Sequence, residues 1–207
     1  MTNPTHPGVV AWSGHNPGIY LKNDPDGEWT GLATFFRIDY SPFGMGRGVL
    51  LLDRPAVAAG LPEVCNVMIS DNEALARYLM DGFFSKFAAF KVSPGTAAVT
   101  HLALTRCRSA GDSRSRYQEI ITSSELEVVM TWEGLGTPYA VDMPAEKGPT
   151  GRHEMYSLFL DAEQASVTVN GRALEGKVAY RGFDGGRKRS AFLAFSETWV
   201  EMPASGG

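Results

Sequence analysis

Polar and apolar residues alternate through most of this chain, and one stretch breaks the alternation. Between residues 70 and 90 the apolar positions Leu75, Tyr78, Leu79, Phe83, Phe87 and Phe90 recur at helical spacing. Ser70-Asp71-Asn72-Glu73 reads as a capping box, the Ser70 hydroxyl taking an orphan backbone N–H while Glu73 reaches back. Glu73 and Arg77 form an i,i+4 pair on the opposite face, and Ser93-Pro94-Gly95 stops the run. The spacing predicts one principal helix over 71–90, with a phenylalanine stripe that must pack on a sheet.

Everything else reads as strand and turn. Residues 28–40, 49–53 and 64–69 precede the helix; 97–108, 114–122, 126–133 and 154–160 follow it. Asn170-Gly171 supplies the two positive φ angles of a type I′ turn, so 167–174 is a hairpin. A second hairpin is expected between 177–181 and 190–202, turning at 182–186. Residues 1–27, dense in proline and glycine, read as an irregular arm anchored by Trp12 and Tyr20. Residues 134–152 carry four glycines and three prolines and read as a long loop able to cover a site. The expected fold is mainly β (α+β). It is a single domain built on a curled antiparallel sheet or barrel of about eight to ten strands, capped by helix 71–90.

Composition narrows the function classes. The chain has 207 residues, 43% of them hydrophobic and 20% charged, with a net charge of −4. That length supports one core without staples, and that charge opposes a nucleic-acid partner. Two cysteines, Cys65 and Cys107, do not make a disulfide scaffold and read as free thiols. The N-terminus lacks the basic and apolar regions of a secretory signal, and no apolar run approaches the roughly 20 residues of a membrane span. The expectation is a cytoplasmic protein with no membrane partner; a homodimer is compatible with the sequence.

No motif fixes a reaction. Gly44-Met45-Gly46-Arg47-Gly48 leads into a strand and reads as a hairpin turn, not as a phosphate cradle. His6, His15, His101 and His153 are dispersed, and neither a metal nor another cofactor is expected. Thirteen arginines stand against six lysines. They gather at 106–116 and 187–189, where guanidinium forks suit carboxylate or phosphate. The carboxylates are the more informative group. Strand alternation puts Glu197 on one face with Leu193, Phe195 and Trp199, and Glu119 on a face with Tyr117 and Ile121. An acid on an aromatic face has its charged form disfavoured, which poises it for proton transfer. Glu197, Glu119 and His101 are therefore the candidate catalytic residues, with Arg106, Arg116, Tyr117 and Trp199 as candidate substrate contacts. The expected activity is acid/base chemistry on a small, partly apolar, anionic molecule, by a lyase, isomerase, cyclase or hydrolase. The alternative is a barrel that carries an apolar ligand without chemistry.

Gly27-Glu28-Trp29 is similar to the Gly-x-Trp entry strand of lipocalin-type barrels, over this short stretch alone. The family's helix follows its barrel, whereas the helix predicted here precedes most strands, so membership is not inferred. Haem-binding relatives with this triplet carry a C-terminal histidine ligand. The last histidine here is His153, and the resemblance therefore implies no haem.

Overall fold

The computed structural model describes residues 8–57, 64–183 and 185–202. Of the arm expected at 1–27, residues 1–7 lie outside the described residues. Most of the remainder is not irregular. It forms β1 (Val9–His15) and β2 (Gly18–Lys22), joined by Asn16-Pro17. Both pair with β3 (Gly31–Tyr40) in one register, Gly14 facing Ile38 and Gly18 facing Thr34. The density of proline hides this strand pair, because an interior proline removes a ladder donor. Pro17 keeps its acceptor, however, and Phe35 N–H donates to the Pro17 carbonyl at 2.9 Å.

β4 (Gly46–Leu52) and β5 (Asn66–Ser70) extend the sheet antiparallel. A helical crossover follows, so β6 (Thr100–Ala103) returns parallel to β5. The strand expected at 97–108 is thus divided between β6 and β7 (Arg106–Gly111). Next come β8 (Arg116–Thr122), β9 (Glu127–Leu135), β10 (Tyr139–Met143) and the long β11 (His153–Val169). The short pieces β12 (Arg172–Ala173) and β13 (Lys177–Val178) lead to β14 (Tyr180–Phe183), β15 (Gly186–Arg189) and β16 (Ala191–Glu201). Among the described residues the main sheet has 14 strands, more than the eight to ten expected; ten follow the path β6-β5-β4-β3-β1-β16-β11-β9-β8-β7, and β2, β10, β12 and β13 pair off it. Asn170 (φ 49°) and Gly171 (φ 80°) make the predicted turn between β11 and β12. The second hairpin differs from expectation: β14 pairs with β15, while β13 pairs with β2. The segment 134–152 is not one loop either, because β10 pairs with β11 and buries Val141 and Met143.

Two apolar cores lie on the two faces of the curled sheet. One, holding Phe35, Leu51, Ile69, Met130, Trp132 and Leu193, is closed by β8 and β9. The other, holding Trp12, Phe36, Leu50, Met155, Phe192 and Trp199, is closed by the helical crossover. That crossover is a broken helix, not a continuous one: α1 (Glu73–Gly82), a 3-10 turn at Phe84–Lys86, and α2 (Ala88–Lys91). Phe83 and Phe84, at the junction of α1 and the 3-10 turn, are both fully buried. Gly82, a poor helix former, precedes the break at Phe83 (φ −131°, ψ −65°). The N-cap is Asn72, not Ser70. Leu75 N–H donates to Asn72 Oδ1 at 3.0 Å, and Ser70 Oγ, at the end of β5, accepts from Asn72 N–H. Asn72→Ala should therefore lower stability by about 1 kcal/mol in a denaturant melt. No helix among the described residues is long and apolar enough to cross a membrane.

Candidate functional site

Between the helical crossover and the sheet lies a cavity of about 860 Å³, within the size range of small-molecule pockets. Its walls are aromatic, with Tyr20, Trp29, Phe87, Phe159, Phe183 and Phe192 contributing rings. Among the described residues five cationic side chains line it, Lys22, Lys86, Lys91, Lys147 and Arg181, against one carboxylate, Glu197. In a chain of net charge −4 this local excess of positive charge favours an anionic occupant.

Glu197 reaches the cavity by a route that alternation alone does not predict. Leu193 belongs to the core closed by β8 and β9, whereas Phe192, Ala194 and Trp199 belong to the core beside the cavity. The phase flips at Ser196, which sits at φ 54°. Across it β16 slips by one residue against both neighbours. On one side Gly14 faces Glu197 while Gly18 faces Phe192; on the other Tyr156 faces Thr198 while Leu158 faces Phe195. Ser196 is a β-bulge, and such extra residues re-aim the side chains that follow. Glu197 and Trp199 therefore share the cavity face with Phe192, and Leu193 and Phe195 face away. Ser196→Val should cost about 1–2 kcal/mol relative to Ser196→Gly, because a left-handed backbone penalises a β-branched side chain. Thermal or denaturant melts of the two variants give that difference.

The Glu197 side chain is buried, at 3% exposure, and its one charge-neutral donor is close. Trp199 Nε1–H donates to Oε1 at 2.7 Å. Burial pushes the carboxyl up to about 7, while the Trp199 hydrogen bond and the Arg181 charge oppose the rise in part. Tyr20, buried beside it, is pushed up to about 12 by the same desolvation. At neutral pH the cavity thus holds a carboxyl near its titration point and a phenol that keeps its proton.

The other sequence candidates do not converge on this cavity. Glu119 is also buried, on β8, but Ser109 Oγ (2.9 Å) and Tyr117 O–H (2.8 Å) donate to it and Arg37 lies at 3.6 Å. Tyr117 packs with Trp132 and Phe195, on the sheet face opposite Glu197. Burial raises the Glu119 carboxyl, and these donors hold it down in part. The group is a satisfied network and does not line the cavity. His101 is exposed on β6, and Arg106 is exposed at the start of β7. Arg116 pairs with Glu133 at 2.9 Å, both side chains open to solvent. Of the seven sequence candidates only Glu197 and Trp199 meet in the cavity. The residues that sequence reasoning missed are Arg181 and Tyr20. The one readable cue for Arg181 is an arginine two positions before Phe183, outside the clusters at 106–116 and 187–189.

Cys65 and Cys107 are free and half-buried, with both thiols pushed up by burial. Among the described residues no group of three His, Cys, Asp or Glu side chains is placed to hold a metal ion. Comparison with protein-family models, with curated proteins and with solved structures gives no match.

Proposed function

We propose that the protein is an enzyme acting on a small, partly apolar, anionic molecule in the aromatic cavity, with Glu197 as general acid or base. The observation that carries this reading is a single one: a buried carboxyl faces a ligand-sized cavity with its pKa raised to about 7. A group titrating near neutral pH both takes and returns a proton with the least penalty. Trp199 Nε1–H occupies Oε1 and so leaves Oε2 to carry the transferred proton. The indole bond also fixes the carboxyl's orientation, which a proton-transfer group needs. The reaction class is one that moves protons at carbon or oxygen: lyase, isomerase, cyclase or hydrolase.

A carrier is the second reading, favoured by a specific observation. Glu119 and His101, the partners that a two-group mechanism would use, lie outside the cavity. One experiment separates the two readings. Wild type and Glu197→Gln are each incubated with a small-molecule extract, and the mixtures are followed by chromatography and mass spectrometry. Under the enzyme reading, wild type converts at least one apolar anion and the variant retains it unchanged. A compound retained alike by both proteins and converted by neither would favour the carrier.

A further inference from the structure

Arg181 occupies a position in the cavity that the acid/base reading leaves without a role. Its guanidinium lies between two rings, 4.2 Å from the centroid of Phe183 and 4.1 Å from that of Phe192. Its Nε–H donates to the Arg189 carbonyl at 3.3 Å. Nη2 is buried and has no hydrogen-bond partner among the described residues. None of the described carboxylates forms an ion pair with it. Asp161, the acid nearest in charge terms besides Glu197, already accepts from Tyr139 O–H at 2.9 Å and Arg189 N–H at 3.1 Å. A guanidinium stays protonated, presents its donors in a planar fork, and is costly to bury without an anion. The two rings lie against the guanidinium, and Nη2 is the donor left without a partner among the described residues.

We propose that Arg181 is the anion anchor of the cavity and that the ligand is an apolar or aromatic monocarboxylate, its carboxylate in the plane of the Arg181 edge. The argument rests on the reading that this cavity binds the substrate, and it is independent of Glu197 acting as acid or base. A carboxylate is flat and matches a guanidinium fork two oxygens to two nitrogens. A single guanidinium edge satisfies a flat monoanion fully and a tetrahedral dianion only in part. Phe87, Phe159 and Trp199 supply the surface for the apolar body. Lys86, Lys91 and Lys147, exposed around the same cavity, draw the anion toward it before it docks.

The test uses the full chain and two skeletons in paired form: decanoate against decanol and decyl phosphate, and cinnamate against cinnamyl alcohol. Binding is measured by calorimetry, with the fluorescence of Trp29 and Trp199, both in the cavity wall, as a second readout. For at least one skeleton the carboxylate should bind about tenfold or more tighter than its neutral or phosphorylated counterpart. Arg181→Gln should abolish that preference while leaving the alcohol's affinity unchanged, and Arg181→Lys, which keeps charge but not the fork, should retain only part of it. Should Arg181→Gln fail to fold, the lysine variant carries the result. Glu197→Gln should keep the preference for carboxylate, so loss of turnover in that variant with intact binding reports on the acid/base reading alone. Equal affinity for carboxylate and alcohol, a preference for the phosphate, preference surviving in the Arg181 variants, or no binding of any probe up to its solubility would overturn the proposal.

Discussion

Glu197→Gln is expected to cut turnover by about 10²–10⁴-fold while making the protein more stable than wild type above neutral pH. The two effects share one cause. Glutamine keeps the shape and still accepts the Trp199 N–H, but it has no proton to exchange. The sign of the stability effect follows from the raised carboxyl, about 7 in the fold against an ordinary 4.5. The folded state holds this proton more tightly than the unfolded chain does. The stability that the group contributes is therefore full below about pH 4.5 and is lost as pH rises through about 7. Wild type should fall behind the variant by about 3 kcal/mol across that window, and the gap should stay constant above it. His153 works in the opposite direction. Burial lowers its pKa, so its contribution is present above 6.5 and lost as pH falls through its depressed folded value. Taking the difference between wild type and variant at each pH removes the His153 term, because both proteins share it. Denaturant melts from pH 4 to 9 provide the measurement. A flat difference would mean that Glu197 titrates as an ordinary surface carboxylate, and the acid/base reading would lose its support.

The fold was legible where local chemistry and tertiary need agree. Asn170-Gly171 demanded positive φ twice, and the hairpin formed there. The helical period of Leu75, Leu79 and Phe90 placed the crossover on the sheet, as the buried positions of all three require. Legibility ended where one residue changed the phase. Nothing in the letters of 191–200 marks Ser196 as a bulge, since serine has no preference for a left-handed backbone as glycine does. Alternation therefore put Glu197 with Leu193 and Phe195. Trp199 does stand beside Glu197, but Leu193 and Phe195 lie on the other face, and the bulge puts Phe192 on the face of the carboxyl instead. Glu119 illustrates the converse limit. Its burial was readable from Tyr117 and Ile121, whereas its satisfaction by Ser109 and Arg37 depends on pairing across strands and on a residue 82 positions away in the chain. Arg181 is hidden for a similar reason. Sequence clustering marks arginines that gather, and gathered arginines are solvated, while the one that matters here is isolated between two phenylalanines.

Phe83→Ala is expected to lower stability by about 3–5 kcal/mol, and Phe87→Ala by far less, although both lie on the same predicted stripe. Phe83 sits at the break between α1 and the 3-10 turn and is fully buried. Its ring meets Trp12 at 5.7 Å, Tyr78 at 5.6 Å, His153 at 4.9 Å and Trp199 at 5.3 Å. Four rings held by β1, α1, β11 and β16 cannot collapse into the space of one missing phenyl, so a void remains and its lining loses contact. Phe87 is half-buried and stacks on Trp199 at 5.8 Å from the cavity side. Its loss should enlarge the cavity instead of opening a void in the core. Denaturant midpoints should thus separate the two variants strongly with m-values unchanged, while ligand affinity should respond to Phe87→Ala at little cost in stability. The void left by Phe83→Ala borders Trp199, whose N–H holds Glu197, so that variant should also shift the Glu197 titration. Equal midpoints for the two variants would show that the phenylalanine stripe packs as one continuous helix and that the break at Phe83 carries no structural weight.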